Sequence, residues 1–278
     1  MAYTAADIKK LRETTGAGML DCKKALVEAD GDYDKAVEQL RIKGLKGVAK
    51  REGRAASNGL VIAKIVGDSK GTLLELNCET DFVAKGDRFG QLAQRVLDQA
   101  VAVGATDAAS LLASELDGKT VKEVLDEGNA SLGEKIEIQR VARVEGDQVV
   151  SYLHRTSPDL PPQIGVLVAV SGERAAEVGR DVAMHTAAMS PTFLTREEVS
   201  EEVVASERRL AEETAREEGR PEQAMTKIIE GRVNGYFKDN VLLEQAFAKE
   251  SKKTVGKYAE EAGVQVTGFA RFRVGATA

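Results

Sequence analysis

Residues 71–101 read GTLLELNCETDFVAKGDRFGQLAQRVLDQAV, and the spacing of their apolar residues changes halfway along. In the first part Leu74, Leu76 and Cys78 alternate with polar residues, which predicts a β-strand with one buried face. The second part predicts an amphipathic helix whose buried stripe is Phe89, Leu92, Val96, Leu97 and Ala100. Because the strand leads directly into the helix, we expect a mixed α+β core.

The turn between this strand and this helix carries an aromatic residue, Phe82, flanked by Asp81 and Val83. Turns usually consist of polar residues and glycine, so a phenylalanine there needs an explanation. One explanation is a hydrophobic staple, in which Phe82 folds back over the start of the helix. The other is a rigid anchor aimed at a pocket of a partner, as at a binding hot spot. The residues of the turn alone leave both open.

The composition is that of a globular protein, since 42% of the 278 residues are hydrophobic and 30% are charged. The net charge of −6 argues against a general nucleic-acid binder, which needs a basic face. Cys22 and Cys78 lie outside any C-x-x-C motif, and we expect buried free thiols in a reducing compartment. The N-terminus is too polar for a signal peptide, and the apolar runs are too short to span a bilayer. We therefore expect a cytoplasmic protein.

Residues 1–54 predict a small N-terminal domain of three helices with a basic linker. Thr4 can cap the first helix, Gly16 allows a break after it, and Asp32 can cap the third. The third helix is predicted to end where the basic stretch 41–58 begins, and that stretch is expected to be a linker with a short helix. Three short helices bury little area, so we expect this unit to be either marginally stable or braced by a partner.

Two parts of the chain share one plan. K-T-V at 119–121 and K-T-V at 253–255 each lead into an acidic helix and then a strand in which Arg alternates with apolar residues. We therefore expect a core of two related α+β subdomains with antiparallel sheets, at 55–145 and 146–278. The apolar run 164–170 predicts a central strand that is covered on both faces.

Two hairpins are also predicted. Segments 134–146 and 148–154 have the pattern of neighbouring strands joined by a tight turn. Residues 194–237 have the pattern of a protruding antiparallel helical hairpin, in which Thr195 and Glu198 show capping-box spacing. The expected seam of its first helix is Val199, Val203, Ser206 and Leu210. Whether the hairpin contacts a second copy, another protein or only solvent stays open, and so does a homodimer.

The motifs of enzymes and cofactor sites are missing from the sequence. It contains no G-x-x-x-x-G-K-[ST], no G-x-G-x-x-G after a strand and no H-E-x-x-H. Neither His154 nor His185 has local support for a nucleophilic centre, so we predict no catalytic residues, no metal site and no cofactor. His185, among alanines in a helix, is expected to pack against the sheet. His154 ends a strand and is either structural or a partner contact.

Several stretches, in collinear order over nearly the whole chain, resemble the bacterial translation elongation factor Ts family. Residues 11–41 are similar to its N-terminal, ubiquitin-associated-like domain, and LELNCETDFVAKGDRF at 74–89 resembles the signature of its core. Further matches are IGVLVAV at 164–170, VAMHTAAMSP at 182–191, EGR at 230–232, SKKTVG at 251–256 and VTGFARFRVG at 266–275. The resemblance implies a small helical domain, two related core subdomains and a helical hairpin.

The resemblance also implies a function, that of a guanine-nucleotide exchange factor for elongation factor Tu without a catalytic centre of its own. By the family's pattern, an aromatic side chain wedges into the nucleotide-binding domain of Tu and disturbs its Mg²⁺; the matching motif here is Thr80, Asp81, Phe82 and Val83. Further contacts with Tu are implied for Arg12, Met19, Leu20 and His154. We expect the chain to bind Tu with GDP or without nucleotide, and to bind no nucleotide, nucleic acid or membrane directly.

Two other functions compete with this interpretation. An RNA-binding module would use the basic cluster Lys43, Lys46, Lys50, Arg51 and Arg54. Its affinity would fall steeply with salt, but the acidic balance of the chain and the lack of stacking aromatics disfavour it. A purely structural hairpin protein would leave the turn at Asp81 and Phe82 unexplained.

Overall fold

The computed structural model describes residues 3–276 as helices packed on two small antiparallel sheets. The helices are α1 (Ala5–Thr15), α2 (Met19–Glu28), α3 (Tyr33–Arg51), α4 (Asp81–Ala84), α5 (Asp87–Val103), α6 (Ala108–Ala113), α7 (Val121–Leu132), α8 (Ala175–Met189), α9 (Glu201–Glu217), α10 (Glu222–Asn240) and α11 (Val255–Glu261). The strands are β1 (Asn58–Val66), β2 (Lys70–Cys78), β3 (Glu115–Leu116), β4 (Lys119–Thr120), β5 (Ile136–Glu145), β6 (Gln148–His154), β7 (Ile164–Ser171), β8 (Ala246–Phe247), β9 (Glu250–Thr254) and β10 (Gln265–Arg273). Within the described residues, every helix is too short or too polar to cross a bilayer.

The third N-terminal helix is longer than the sequence predicted. It starts at the predicted cap, Asp32, but α3 continues to Arg51, so the expectation of a linker with a separate short helix is wrong. The reason is packing on α7: a Cβ at Gly44 would lie 2.7 Å from the Cβ of Ala130, so the two helices cross closely. Arg41 also pairs with Glu127 of α7 at 2.5 Å. Tertiary contacts of this kind outweigh the low helix propensity of glycine. The core of the same chain therefore braces the helical unit.

The two sheets pack face to face, with strand orders β1-β2-β5 and β10-β7-β6. Strand β7 is central, as predicted for 164–170, and both of its faces are buried. Strand β2 is also central, and the prediction that only one of its faces is buried is wrong, because Glu75 and Asn77 are buried too. Arg140 pairs with the Glu75 carboxylate at 2.5 Å. The apolar layer between the sheets comprises Val61, Leu73, Val144, Val149, Leu167, Ala169 and Phe272.

The two halves of the core repeat one topology, as the duplicated K-T-V pattern predicted. In the first half, β1 and β2 lead into helices, a short strand pair, α7 and the third strand β5. In the second half, β6 and β7 lead into α8, the helical hairpin, another short pair, α11 and β10. Thr120 and Thr254 cap the equivalent helices α7 and α11. The predicted α+β class with antiparallel sheets is confirmed.

The predicted strand pair at 134–146 and 148–154 does not form. Strand β5 pairs with β2, whereas β6 pairs with β7, so the turn between them carries the chain from one sheet to the other. The backbone N–H of Gly146 donates to Ser69 O at 3.1 Å, and that of Val149 donates to Asp68 O at 2.6 Å. These bonds hold the crossing against the β1–β2 turn, which explains why a tight turn here does not produce a hairpin.

The helical hairpin consists of α9 and α10, but its start and seam differ from the prediction. Helix α9 is capped by Ser200, whose hydroxyl accepts from Val203 N at 3.3 Å, so the predicted capping box of Thr195 and Glu198 is wrong. Glu198 instead accepts from the backbone N–H of Leu194 at 2.6 Å. The predicted seam residue Leu210 is 57% exposed; the buried residues of α9 are Ala211 and Ala215.

Candidate functional site

The T-D-F-V turn is a single helical turn, α4, that begins directly after strand β2. Thr80 is its N-cap, and the Thr80 hydroxyl accepts from Val83 N at 3.3 Å. Val83 packs against the core cluster and Ala84 is buried in it. Asp81 and Phe82, between the cap and these inward residues, face away from the core.

Phe82 is 83% exposed, the largest exposed fraction among the large hydrophobic side chains of the described residues. The staple explanation is therefore wrong, because a staple would pack the ring over the helix start. Phe89, in the first turn of α5, is fully buried and supplies the aromatic packing that a staple would have provided. Exposure on a turn fixed between a strand and a helix is the geometry of an anchor.

The cap residue is itself held by a carboxylate from another part of the chain. Glu134, between α7 and β5, accepts from Thr80 N at 3.0 Å and from the Thr80 hydroxyl at 2.6 Å. The Cys78 thiol donates to Thr80 O at 3.2 Å. Burial raises the pKa of Cys78 to about 12, so the thiol keeps the proton that it donates. Three contacts therefore fix the backbone at the entrance to the turn.

The residue before the cap, Glu79, joins three segments. Its carboxylate accepts from the backbone N–H of Lys135 at 2.7 Å and pairs with Arg54 at 3.2 Å, and these contacts, the backbone bond first, lower its pKa. Its carbonyl accepts from the Asn58 side chain at 2.8 Å. The segment after α3 and the start of β5 are thus both tied to the strand that presents Phe82.

The charge next to Phe82 comes from Asp81. Its carboxylate is exposed and accepts from Lys85 Nζ at 2.7 Å, which lowers its pKa. An acidic side chain in the first turn of a helix also interacts favourably with the helix dipole. The turn therefore presents an apolar ring beside a stable negative charge.

A groove of about 490 Å³ runs beside the turn. The chain around Lys85 and Gly86 forms one wall, and Arg155, Leu160 and Pro161 of the proline-rich loop line the other. His154 lies at the end of β6, where this loop begins; it is exposed, and its Nδ1 lies 3.1 Å from the Tyr152 hydroxyl.

The predicted residues of the N-terminal domain are exposed on α1 and α2. Met19 and Leu20 are exposed in the first turn of α2, Leu20 by 76%, and Arg12 is exposed on α1. The four residues of the T-D-F-V motif thus form one capped turn, and the other predicted residues, Arg12, Met19, Leu20 and His154, are exposed on other elements. Glu134 and Glu79 were not predicted as site residues, and Glu134 could not have been found by local pattern, because it is distant in sequence from Thr80.

Part of the basic cluster proposed for RNA binding is engaged in bonds with other residues of the same chain. Lys43 pairs with Asp21 at 2.5 Å, Arg51 donates to the carbonyl of Asn129, and Arg54 pairs with Glu79. Contacts with phosphate would compete with these bonds. The arrangement disfavours the RNA-binding interpretation.

Comparisons with known proteins agree with the resemblance seen in the sequence. The family model described as elongation factor TS matches residues 79–276. A protein named elongation factor Ts from Kineococcus radiotolerans is 68% identical over 275 residues, covering 99% of both chains. A protein of the same name from Beutenbergia cavernae is 62% identical over 99% of both chains. Another, from an Arthrobacter species, is 61% identical over 98% of this chain and 99% of the relative. The region matched by the family model includes the whole turn, the first half of the core from Glu79 onward and the described residues of the second half. The chain belongs to the elongation factor Ts family.

Proposed function

We propose that this translation elongation factor acts as a guanine-nucleotide exchange factor for elongation factor Tu. It binds Tu·GDP, promotes the release of GDP and so allows GTP to bind during elongation. Family membership supports the general role, and the observation that carries the mechanism is the 83% exposure of Phe82 on a braced turn. An exposed aromatic side chain costs solvation free energy in the free protein, which is consistent with a ring that is buried in a complex.

The proposed mechanism is insertion of the T-D-F-V turn into the nucleotide-binding domain of Tu. The Phe82 ring enters an apolar crevice there, while Asp81 accompanies it and the cap at Thr80 and the inward Val83 keep the backbone in place. The intrusion displaces elements that hold Mg²⁺ and its waters, which weakens the hold on GDP. This chain makes and breaks no covalent bond, so its function is binding and it is not an enzyme.

Thermodynamic linkage relates the effect of the factor on GDP binding to the effect of GDP on factor binding. If the factor lowers the affinity of Tu for GDP by some ratio, GDP must lower the affinity of Tu for the factor by the same ratio. Release accelerates because the factor stabilises a state of Tu that binds nucleotide weakly. Only differential binding of the two states can shift the equilibrium.

The other predicted contacts belong to the same proposal. A second docking surface on the N-terminal domain consists of Arg12, Met19 and Leu20. The apolar side chains of Met19 and Leu20 are exposed there and are available for binding. His154 contributes a further contact at the start of the proline-rich loop. The domains that carry these contacts are 1–54, 55–145 and 146–278, with the hairpin 194–237 inserted in the last.

The proposal is tested by mixing the protein with Tu loaded with a fluorescent GDP and excess unlabelled nucleotide. Accelerated, saturable loss of fluorescence supports exchange activity. Release at the spontaneous rate, at factor concentrations that bind Tu, contradicts it. A parallel RNA-binding assay at two salt concentrations separates the competing interpretation, which requires salt-sensitive affinity.

A further inference from the structure

We infer that Glu134 is a positioning residue for nucleotide exchange, which holds the T-D-F-V turn in the conformation that presents Phe82. This inference rests on the proposed function, because it assigns a role within the same site. Glu134 does not touch the partner in this account. It acts through Thr80, whose backbone N–H and hydroxyl both donate to its carboxylate.

The position of Glu134 is tightly fixed by the fold. Helix α7 ends at Gly133, which has a left-handed backbone with φ of 79°, and strand β5 begins at Ile136. Only Glu134 and Lys135 lie between them. Lys135 donates its backbone N–H to Glu79 at 2.7 Å. Each segment therefore supplies a carboxylate to a backbone N–H of the other, and the two bonds form a reciprocal brace.

The brace also sets the direction of the Thr80 hydroxyl. This oxygen accepts from Val83 N, as an N-cap does, and its own proton goes to Glu134. Hydrogen bonds to an ionised carboxylate are shorter and stronger than neutral ones. With its proton committed to Glu134, the hydroxyl keeps its acceptor lone pairs for the helix N-terminus.

The turn depends on this brace because it has little stability of its own. Helix α4 has four residues, and an isolated turn of helix is unstable in water. The Phe82 ring is 83% exposed, so it makes too little packing contact to restore the conformation. The direction of the ring is thus set by the backbone alone. If the turn populates other conformations, only the molecules whose turn presents Phe82 correctly can insert it into Tu. The rate of exchange then falls with the fraction of such molecules.

The test is a Glu134→Gln variant, which keeps one acceptor oxygen and places an amide against a Thr80 donor. Fluorescent GDP release from Tu is followed at increasing factor concentration, giving a limiting rate and a half-saturating concentration. We expect the limiting rate to fall by roughly tenfold, the factor that corresponds to one lost hydrogen bond to a charged group. The half-saturating concentration should change less, because the other docking surfaces are intact.

The matched control is Glu145→Gln, at the other end of β5, which makes the same change of charge at an ion pair with Arg143. It should leave both parameters at the wild-type values. Thr80→Ser, which keeps the hydroxyl, should retain most of the rate, and Thr80→Val should lose it. Combining Thr80→Val with Glu134→Gln should cost less than the sum of the two single changes.

Amide hydrogen exchange on the free protein tests the brace without Tu. Glu134→Gln should speed exchange at Thr80 and Val83 at least about tenfold while leaving the amides of α5 unchanged. Wild-type release and wild-type amide protection in the Glu134→Gln variant would overturn the inference. If instead the wild-type protein fails to accelerate GDP release, the proposed function fails, and the amide measurement still decides whether Glu134 holds the turn.

Discussion

Phe82 and Phe89 belong to one turn-to-helix segment and have opposite surroundings: the first is 83% exposed and the second is fully buried. Phe89 packs in the cluster beneath α5, which fixes the helix on the first sheet. Phe82 is held only by the backbone that carries it. One aromatic residue therefore serves stability, and the other is available to a partner.

This difference predicts unequal effects on folding. Phe89→Ala should lower the free energy of unfolding by about 3–5 kcal/mol, because it removes a large buried side chain and leaves a cavity. Phe82→Ala should change it by no more than about 0.5 kcal/mol, as is usual for an exposed side chain. Urea unfolding followed by circular dichroism measures both. A large loss of stability in Phe82→Ala would favour the staple explanation.

The buried His185 predicts a dependence of stability on pH. Its Nδ1 accepts from the backbone N–H of Ala248 at 3.1 Å, and its Nε2 lies 2.9 Å from Gln245 Oε1. The ring is neutral in this arrangement, and burial lowers its pKa. The unfolded chain therefore binds a proton more readily than the folded one below about pH 6.5.

Stability should accordingly be complete above about pH 6.5 and fall as the pH drops towards the lower pKa of the folded state. The contribution of His185 to this slope is at most about 1.4 kcal/mol per pH unit. Urea unfolding at several pH values between 5 and 8 measures it. His185→Gln should flatten the slope. Equal slopes in the wild-type protein and in His185→Gln would contradict the assignment.

The helical hairpin offers a test of the seam seen in the structure. Ala215 is fully buried between α9 and α10, so Ala215→Leu should overpack the seam and lower stability by about 1–3 kcal/mol. Leu210, at 57% exposure, should tolerate Leu210→Ala with little change. Thermal unfolding compares the two. If Leu210→Ala proves the more damaging, the seam lies where the sequence predicted it.

Local sequence signals predicted helices and strands well where the residues of the element itself determine its cap or its burial. Asp32 caps α3 as predicted, and the apolar run 164–170 is the central strand. Strand pairing was harder to predict. The turn after Glu145 carries the chain from one sheet to the other, and contacts with distant parts of the chain determine that path. At α9 two caps compete, and Ser200 prevails because Glu198 is engaged by Leu194 N.

The candidate site was predictable in part. The T-D-F-V motif identified the turn, but its residues fit a staple and an anchor equally well. Thr80, the cap of the turn that carries Phe82, is held by Glu134, which lies between α7 and β5. Contacts between residues so distant in sequence arise only when the sheet assembles, so a single sequence carries no local signal for them.

The proposed role of Phe82 in nucleotide release is tested by stopped-flow release of fluorescent GDP from Tu with wild-type and Phe82→Ala protein. We expect Phe82→Ala to lower the limiting rate by at least about tenfold, as for a hot-spot residue, while Phe82→Leu, which keeps apolar volume, retains part of it. Circular dichroism and thermal unfolding should show an unchanged fold. A folded Phe82→Ala protein that releases GDP at the wild-type rate would contradict the account.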